Sequence, residues 1–400
     1  MAFTPFLTRL YGPEAFGVSA AFTAVMSIIT PLATLGYATA IVIPEGDKEA
    51  AAIARLSILC ALILAPISLL AVHLGQPWIA ILTGLQDTPQ ILYLIPLSLI
   101  ITAFLSVANQ SAIRKGLFKA KARAYVESAL GTNLGKLGGG LVAPSGLVLI
   151  LLTQAGQMLN LFMQLLRVPR QGVLKPSNWI GVRGVGEAAK AQRDFAVYRM
   201  PQSIIRAMAM GLPVIVLTAL FGSAEAGQYS LTLLILGAPA MLLGDSVGEV
   251  FYPKITRAIT GNKPKAQVLI VKAIAVLGLV GVATFGLIVI FGDVLVPWLF
   301  GAEWGRAGEY SQWVAVWMTA MLATRPAVAS MPALELQSVL LLYEIVVTAA
   351  RAAALYVGFL FGDDLVSIAI FSLINVAGYV GLSAVVLFKA YRRNSEVLNV

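Results

Sequence analysis

Histidine and cysteine, which carry much of the nucleophilic, acid–base and metal chemistry of enzymes, are nearly missing from this chain. One histidine, His73, and one cysteine, Cys60, occur in 400 residues. Cys60 lies in an apolar run, so neither a disulfide framework nor a thiolate metal cluster is available, and no metal site is expected. Charge is scarce too, with Asp, Glu, Lys and Arg together making only 12% of the residues. Nucleotide-binding motifs are also lacking. The glycine run 137–140, LGGG, has no following Lys and Ser/Thr and sits inside an apolar stretch, so it is no phosphate-cradling loop. No cofactor is expected, and work done by this chain must draw on an ion gradient, the membrane potential or a substrate gradient. The net charge of +9 raises nucleic acid as a partner, but the way Lys and Arg are distributed argues against it.

What is present in excess is apolar length. Hydrophobic residues make up 59% of the chain. Runs of about 20 residues, enough to cross a ~30 Å hydrocarbon core, recur near 17–43, 51–72, 91–112, 126–143, 146–166, 195–220, 228–251, 268–292, 307–330, 335–360 and 364–388. The expected fold class is therefore all-α, a polytopic membrane helical bundle with about eleven spans. Pro31, Pro66, Pro213 and Pro239 fall inside these runs, as membrane helices allow. Alternate connections are strongly basic: Lys48; Arg114, Lys115, Lys119, Lys121 and Arg123; Arg167, Arg170, Lys175, Arg183, Lys190 and Arg193; Lys254, Arg257, Lys263 and Lys265; and Lys389, Arg392 and Arg393. The opposite set holds only Arg9 and Arg306. By the positive-inside rule the basic set, with the C-terminus, is cytoplasmic, and topology and anionic-lipid contact account for it.

An internal repeat organises the chain. LTRLYGPEAFG at 7–17 aligns with LTALFGSAEAG at 217–227, Pro31 and Gly36 answer to Pro239 and Gly244, Pro44 to Pro253, and Pro77-Trp78 to Pro297-Trp298. Both copies run in the same direction, which implies two six-helix-type lobes related by an axis along the membrane normal. The expected domains are an N-terminal lobe at 1–166, a cytoplasmic linker at 167–194 rich in Pro, Gly and charge, and a C-terminal lobe at 195–400. On this alignment residues 1–10 answer to 211–220, so the first lobe is expected to lack most of its first helix. The start MAFTPFLTRL has no basic segment leading into an apolar one and is not read as a signal peptide.

Charges inside apolar spans cost at least ~2.5 kcal/mol each and are kept where they face a cavity or a partner. Counting inward at ~1.5 Å per residue, Arg206 and Arg351 fall near the midplane, with Arg199 and Arg325 nearer the cytoplasmic end. A guanidinium stays charged and offers a planar fork to phosphate oxygens, so these arginines, with Lys136, are candidate substrate contacts. The competing reading is that each is neutralised by an acid and locks two helices; Glu344 is placed to meet Arg351, and Asp245 with Glu249 to meet Arg199. Asp245 and Glu249, spaced i, i+4, are also a candidate coupling-ion site, with ion pairing near the interface the preferred alternative. Gln154, Gln157, Asn160 and Gln164 form a polar stripe on one helix face, suited either to sugar hydroxyls or to bonding between helices. Tyr310, Trp313 and Trp317 read first as an interfacial aromatic belt.

RLYGPEAFG with the downstream LATLGYATAIVIPEGDKEA, the block AGQYSLTLLILGAPAMLLGDSVGEVFYP, and FGAEWGRAGEYSQW at 300–313 resemble the Wzx-like oligosaccharide flippases of bacterial polysaccharide biosynthesis. That branch belongs to the superfamily that also holds multidrug exporters and the lipid II flippase, and the likeness runs from Leu7 to about Tyr391. The resemblance implies a non-enzymatic, two-lobe transporter in the bacterial inner membrane that moves an undecaprenyl-pyrophosphate-linked oligosaccharide outward by alternating access. Its implied partners are that lipid-linked oligosaccharide, membrane lipids, and polysaccharide polymerase and export proteins. The alternative is an ion-coupled multidrug antiporter of the same fold, whose cationic substrates would call for an acidic cavity; here the deep charges are mostly basic.

Overall fold

The computed structural model describes the backbone of residues 3–167, 172–260 and 266–398, and the side chains of these residues apart from 245–256, 258–260, 266, 341 and 393–398. Among the described residues helices are the only regular secondary structure. Its helices are α1 (Thr4–Ala33), α2 (Asp47–Thr83), α3 (Ile95–Arg114), α4 (Phe118–Val142), α5 (Gly146–Arg167), α6 (Val185–Ala191), α7 (Met200–Phe221), α8 (Ser223–Thr260), α9 (Ala266–Phe300), α10 (Gly305–Ser330), α11 (Gln337–Leu360) and α12 (Asp364–Leu398). Nine of these, all but α4, α6 and α10, are long and apolar enough to cross a membrane. The expected spans at 126–143 and 307–330 fall in α4 and α10, which have the length but carry more polar residues. In α4 these include Lys119, Lys121, Arg123, Glu127, Asn133 and Lys136, and in α10 Arg306, Glu309 and Arg325.

Packing divides the chain into two compact units, Ala2–Gly227 and Gln228–Val400, with the boundary inside α8. This is not the partition expected from the repeat. By packing, both the segment 172–191 and α7 belong with the first unit, where α7 lies along α1 and the segment lies on α2. The first unit has a core in which Phe22 of α1, Ile53 and Ile58 of α2 and Leu99 of α3 are buried together with Trp179. In the second unit α10 is flanked by α9 and α12, and α11 packs on α12.

The repeat is visible in local conformation. Gly12 interrupts α1 at φ 66°, ψ 171°, and its counterpart Gly222 separates α7 from α8 at φ 108°, ψ 173°. Both angles lie where a Cβ is strained, so glycine makes the same sharp turn in each copy. Five residues on, Gly17 and Gly227 pack against one another: a Cβ on Gly17 would collide with Ser223 and Gly227, and one on Gly227 with Pro13 and Gly17. Equivalent positions of the two repeats are therefore mutual partners within the first unit, at a separation that only hydrogen side chains allow.

Candidate functional site

The candidate arginines separate into two kinds. Arg206 on α7 and Arg199 in the π-helical turn before it are exposed, and neither has an ion-pair partner among the described residues. Arg325 and Arg351, in the second unit, are half-buried and share a neighbour. Arg351 Nε donates to Asn375 Oδ1 at 2.9 Å, and its guanidinium also reaches the Tyr379 hydroxyl. Tyr229 and Tyr343 lie within its electrostatic range, and Tyr379 lies within that of Arg325. Four helices build this cluster: α8 supplies Tyr229, α10 Arg325, α11 Tyr343 and Arg351, and α12 Asn375 and Tyr379.

Aromatic packing holds the cluster in place. Tyr343 and Tyr379 rings are 6.4 Å apart. The ring of Phe371 on α12 meets Tyr229 edge-on at 6.3 Å and Trp317 at 6.4 Å. Asn375 is itself fixed, since its Nδ2 donates to Phe371 O at 2.8 Å. That turns its oxygen toward Arg351. Thr324 Oγ1, beside Arg325, reaches Tyr379 O at 3.3 Å.

Electrostatically the cluster is one-sided. No carboxylate lies within 4 Å of Arg351, Arg325 or Lys136 among the described residues. Glu344, the expected acid for Arg351, is exposed and acts only at longer range on Tyr343 and Tyr379. Arg325 Nε, the Tyr343 hydroxyl and Trp317 Nε1 are buried and have no hydrogen-bond partner among the described residues. Two guanidiniums plus donors without acceptors make a site that favours an anion with several oxygens.

In the first unit Lys136 stands on α4, its carbonyl accepting from the Tyr11 hydroxyl at 2.6 Å. Glu127 is engaged elsewhere, with Arg167 and Arg123. The amide stripe of α5 makes the contacts of helix-to-helix bonding. Gln154 Nε2 donates to Ser98 Oγ of α3 at 2.6 Å and Gln164 Nε2 to Asn109 Oδ1 of α3 at 3.1 Å, while within α5 Gln164 Nε2 also donates to Asn160 Oδ1 at 2.9 Å. The side-chain oxygens of Gln154, Gln157 and Gln164 are buried without partners among the described residues. Asp245 and Glu249 lie outside the residues whose side chains are described. Tyr310 is fully buried rather than interfacial, and its hydroxyl donates to Asp364.

Sequence reasoning singled out Arg325 and Arg351 but missed Tyr229, Tyr343, Asn375 and Tyr379. A signal existed: Tyr343 and Arg351 are eight residues apart, and Asn375 and Tyr379 four, so each pair shares a helix face.

A sequence profile of the polysaccharide biosynthesis protein family matches residues 6–309. The chain belongs to that family. No protein of curated function matches the sequence. In fold the chain is similar to an inward-facing multidrug resistance MATE family transporter of the MOP superfamily, at TM-score 0.73 and 15% identity over 100% of this chain and 95% of that one. It is similar also to the lipid II flippase MurJ in an inward closed conformation, at TM-score 0.72 and 11% identity over 99% and 88%. A MATE structure in complex with MaL6 is a more distant match, at TM-score 0.51 and 13% identity over 100% and 95%. At these identities the likeness is one of fold: this member of the polysaccharide biosynthesis family is a multi-pass membrane protein folded like the MATE and MurJ structures.

Proposed function

We propose that the protein carries an undecaprenyl-pyrophosphate-linked oligosaccharide from the inner to the outer leaflet of the bacterial inner membrane by alternating access, as a transporter without catalytic chemistry. The observation that carries this reading is the environment of Arg351: a charged guanidinium in an apolar helix, held by an amide and a phenol instead of a carboxylate. A cation kept unneutralised at that cost is explained by an anionic ligand that completes it. Membership of a polysaccharide biosynthesis family points to a sugar cargo, and the fold of a neighbour named a lipid II flippase points to a lipid-linked one.

In this scheme Arg351 and Arg325 grip the pyrophosphate, with Tyr343 and Trp317 as further donors. Arg206, Arg199 and Lys136 are contacts on its path, and Gln154, Gln157 and Asn160 accept from sugar hydroxyls. Asp245 and Glu249 are kept as coupling-ion candidates. The lobes at 1–166 and 195–400, the cytoplasmic C-terminus and the association with polymerase and export proteins belong to the same proposal. It is tested by complementing a strain that lacks its own flippase, comparing wild type with Arg351→Ala at matched membrane abundance. Surface polysaccharide should fall at least tenfold; undiminished polymer would overturn the assignment.

A further inference from the structure

The segment between α5 and α7 was expected to be a linker, but within the first unit it is a folded cap on the first three turns of α2. Val173 and Trp179 are buried in the core, Trp179 at 1% exposure. Trp179 Nε1 donates to Val173 O at 2.6 Å, and Asn178 Nδ2 to Gly172 O at 2.7 Å. From α2, Arg55 Nη1 donates to Arg183 O at 2.7 Å. Each bond removes a degree of freedom that a tether would keep.

The opposite side of the cap is built differently. Ile180 and Val182 are 66% and 75% exposed, two branched aliphatic side chains at a rigid tip with nothing of the described chain over them. Along the segment Lys175, Arg183, Lys190 and Arg193 are all exposed, as are Glu187 and Asp194; Arg193 lies 3.9 Å from Asp194, and Asp47 of α2 lies against Gly172. The depth of this tip follows from α2. Arg55 marks the cap, and the first strongly exposed apolar residues of that helix are Leu62 and Ile63, seven residues on, or about 10 Å at 1.5 Å per residue. The cap therefore stands about 10 Å along α2 from that helix's first exposed apolar surface, near the depth of the interfacial region that flanks a ~30 Å hydrocarbon core. Exposed aliphatic side chains in a segment that carries four exposed cations against two acids match the chemistry of an anionic bilayer interface.

We propose that the cap at 172–193 is an interfacial membrane anchor: Ile180 and Val182 enter the acyl boundary of the leaflet on the basic side, while Lys175, Arg183, Lys190 and Arg193 hold anionic headgroups. The inference rests on the spanning fold and not on the transported substrate. Its test is site-directed spin labelling of the full chain with Val182→Cys or Ser177→Cys, Ser177 being an exposed position elsewhere on the cap. Cys60 is buried, so wild type should take up little label, and Cys60→Ala serves as background if it does. In vesicles of equimolar phosphatidylglycerol and phosphatidylcholine, the label at 182 should be several-fold more accessible to oxygen than to a water-soluble nickel chelate, with the reverse at 177. In phosphatidylcholine alone, or with the four cations changed to Gln, the difference at 182 should shrink at least twofold. Nickel access at 182 equal to that at 177 overturns the anchor. Loss of access to both reagents means protein covers the tip and overturns it equally, and an unchanged difference in neutral lipid overturns the role of charge.

Discussion

Two arginines of the second unit sit on successive helices and are treated in opposite ways. Arg306, at the start of α10, is wrapped by acid: it pairs with Glu309, with Asp363 at 2.9 Å and with Asp364, which also accepts from Tyr310. Arg351, on α11, meets an amide and phenols. The first has its charge more than balanced and ties the start of α10 to the α11–α12 turn, which is what a structural cation does. The second is left with charge to spare. A partly buried arginine in a long helix is thus no signal by itself; what surrounds the guanidinium decides whether it is a strut or a receptor.

The sharpest way to break this contrast is Arg306→Ala. Three carboxylates would be left together, one of them, Asp364, only 15% exposed at its side chain. With Arg306 itself about one third exposed, solvent softens the loss to about 2–3 kcal/mol. A thermal-shift measurement in detergent should show a clear fall in midpoint, and adding Asp364→Asn should recover part of it. If the single variant melts like wild type, Arg306 is no strut. A smaller effect is expected at the amides of the first unit. Gln164→Leu removes two hydrogen bonds and leaves the Asn109 and Asn160 oxygens unmet, for about 1 kcal/mol. A loss of transport with unchanged melting would instead assign Gln164 to the cargo.

Much of this contrast could not be read from the chain alone. Apolar runs announced the helices because a spanning helix needs only length and hydrophobicity, and the repeat announced the twin turns at Gly12 and Gly222 because a backbone that forbids Cβ leaves its mark in the residue type. At α4 and α10 the apolar runs read as spans, and these two long helices carry more polar residues than the nine that are apolar enough to cross a membrane. Linker composition hid the cap, since a single anchoring residue, Trp179, folds a segment otherwise rich in Pro, Gly and charge. The partners of Arg351 come from its own helix and from two others, α8 and α12, and span the sequence from Tyr229, 122 residues before it, to Tyr379. Only packing joins them. Counting depth along one helix placed Arg206 and Arg351 alike, yet one is exposed and the other is held in the aromatic cluster.

The smallest effect on stability, and the most informative on function, is expected at Arg351 itself. Arg351→Gln keeps a donor for Asn375 while removing the charge, and no carboxylate within 4 Å among the described residues is left unpaired by the change. Melting should therefore move by less than about 0.5 kcal/mol, in contrast to Arg306→Ala. Transport should still drop at least tenfold, because an anion would lose its cation in a low-dielectric setting. Arg351→Lys divides the electrostatic from the geometric part: it restores the charge without the planar fork, so polymer export should recover to a level between Gln and wild type if two phosphate oxygens are gripped at once. Full recovery with Lys would mean that a point charge suffices, and no recovery would mean that the fork, together with the Tyr379 and Asn375 contacts it makes, is what the cargo reads.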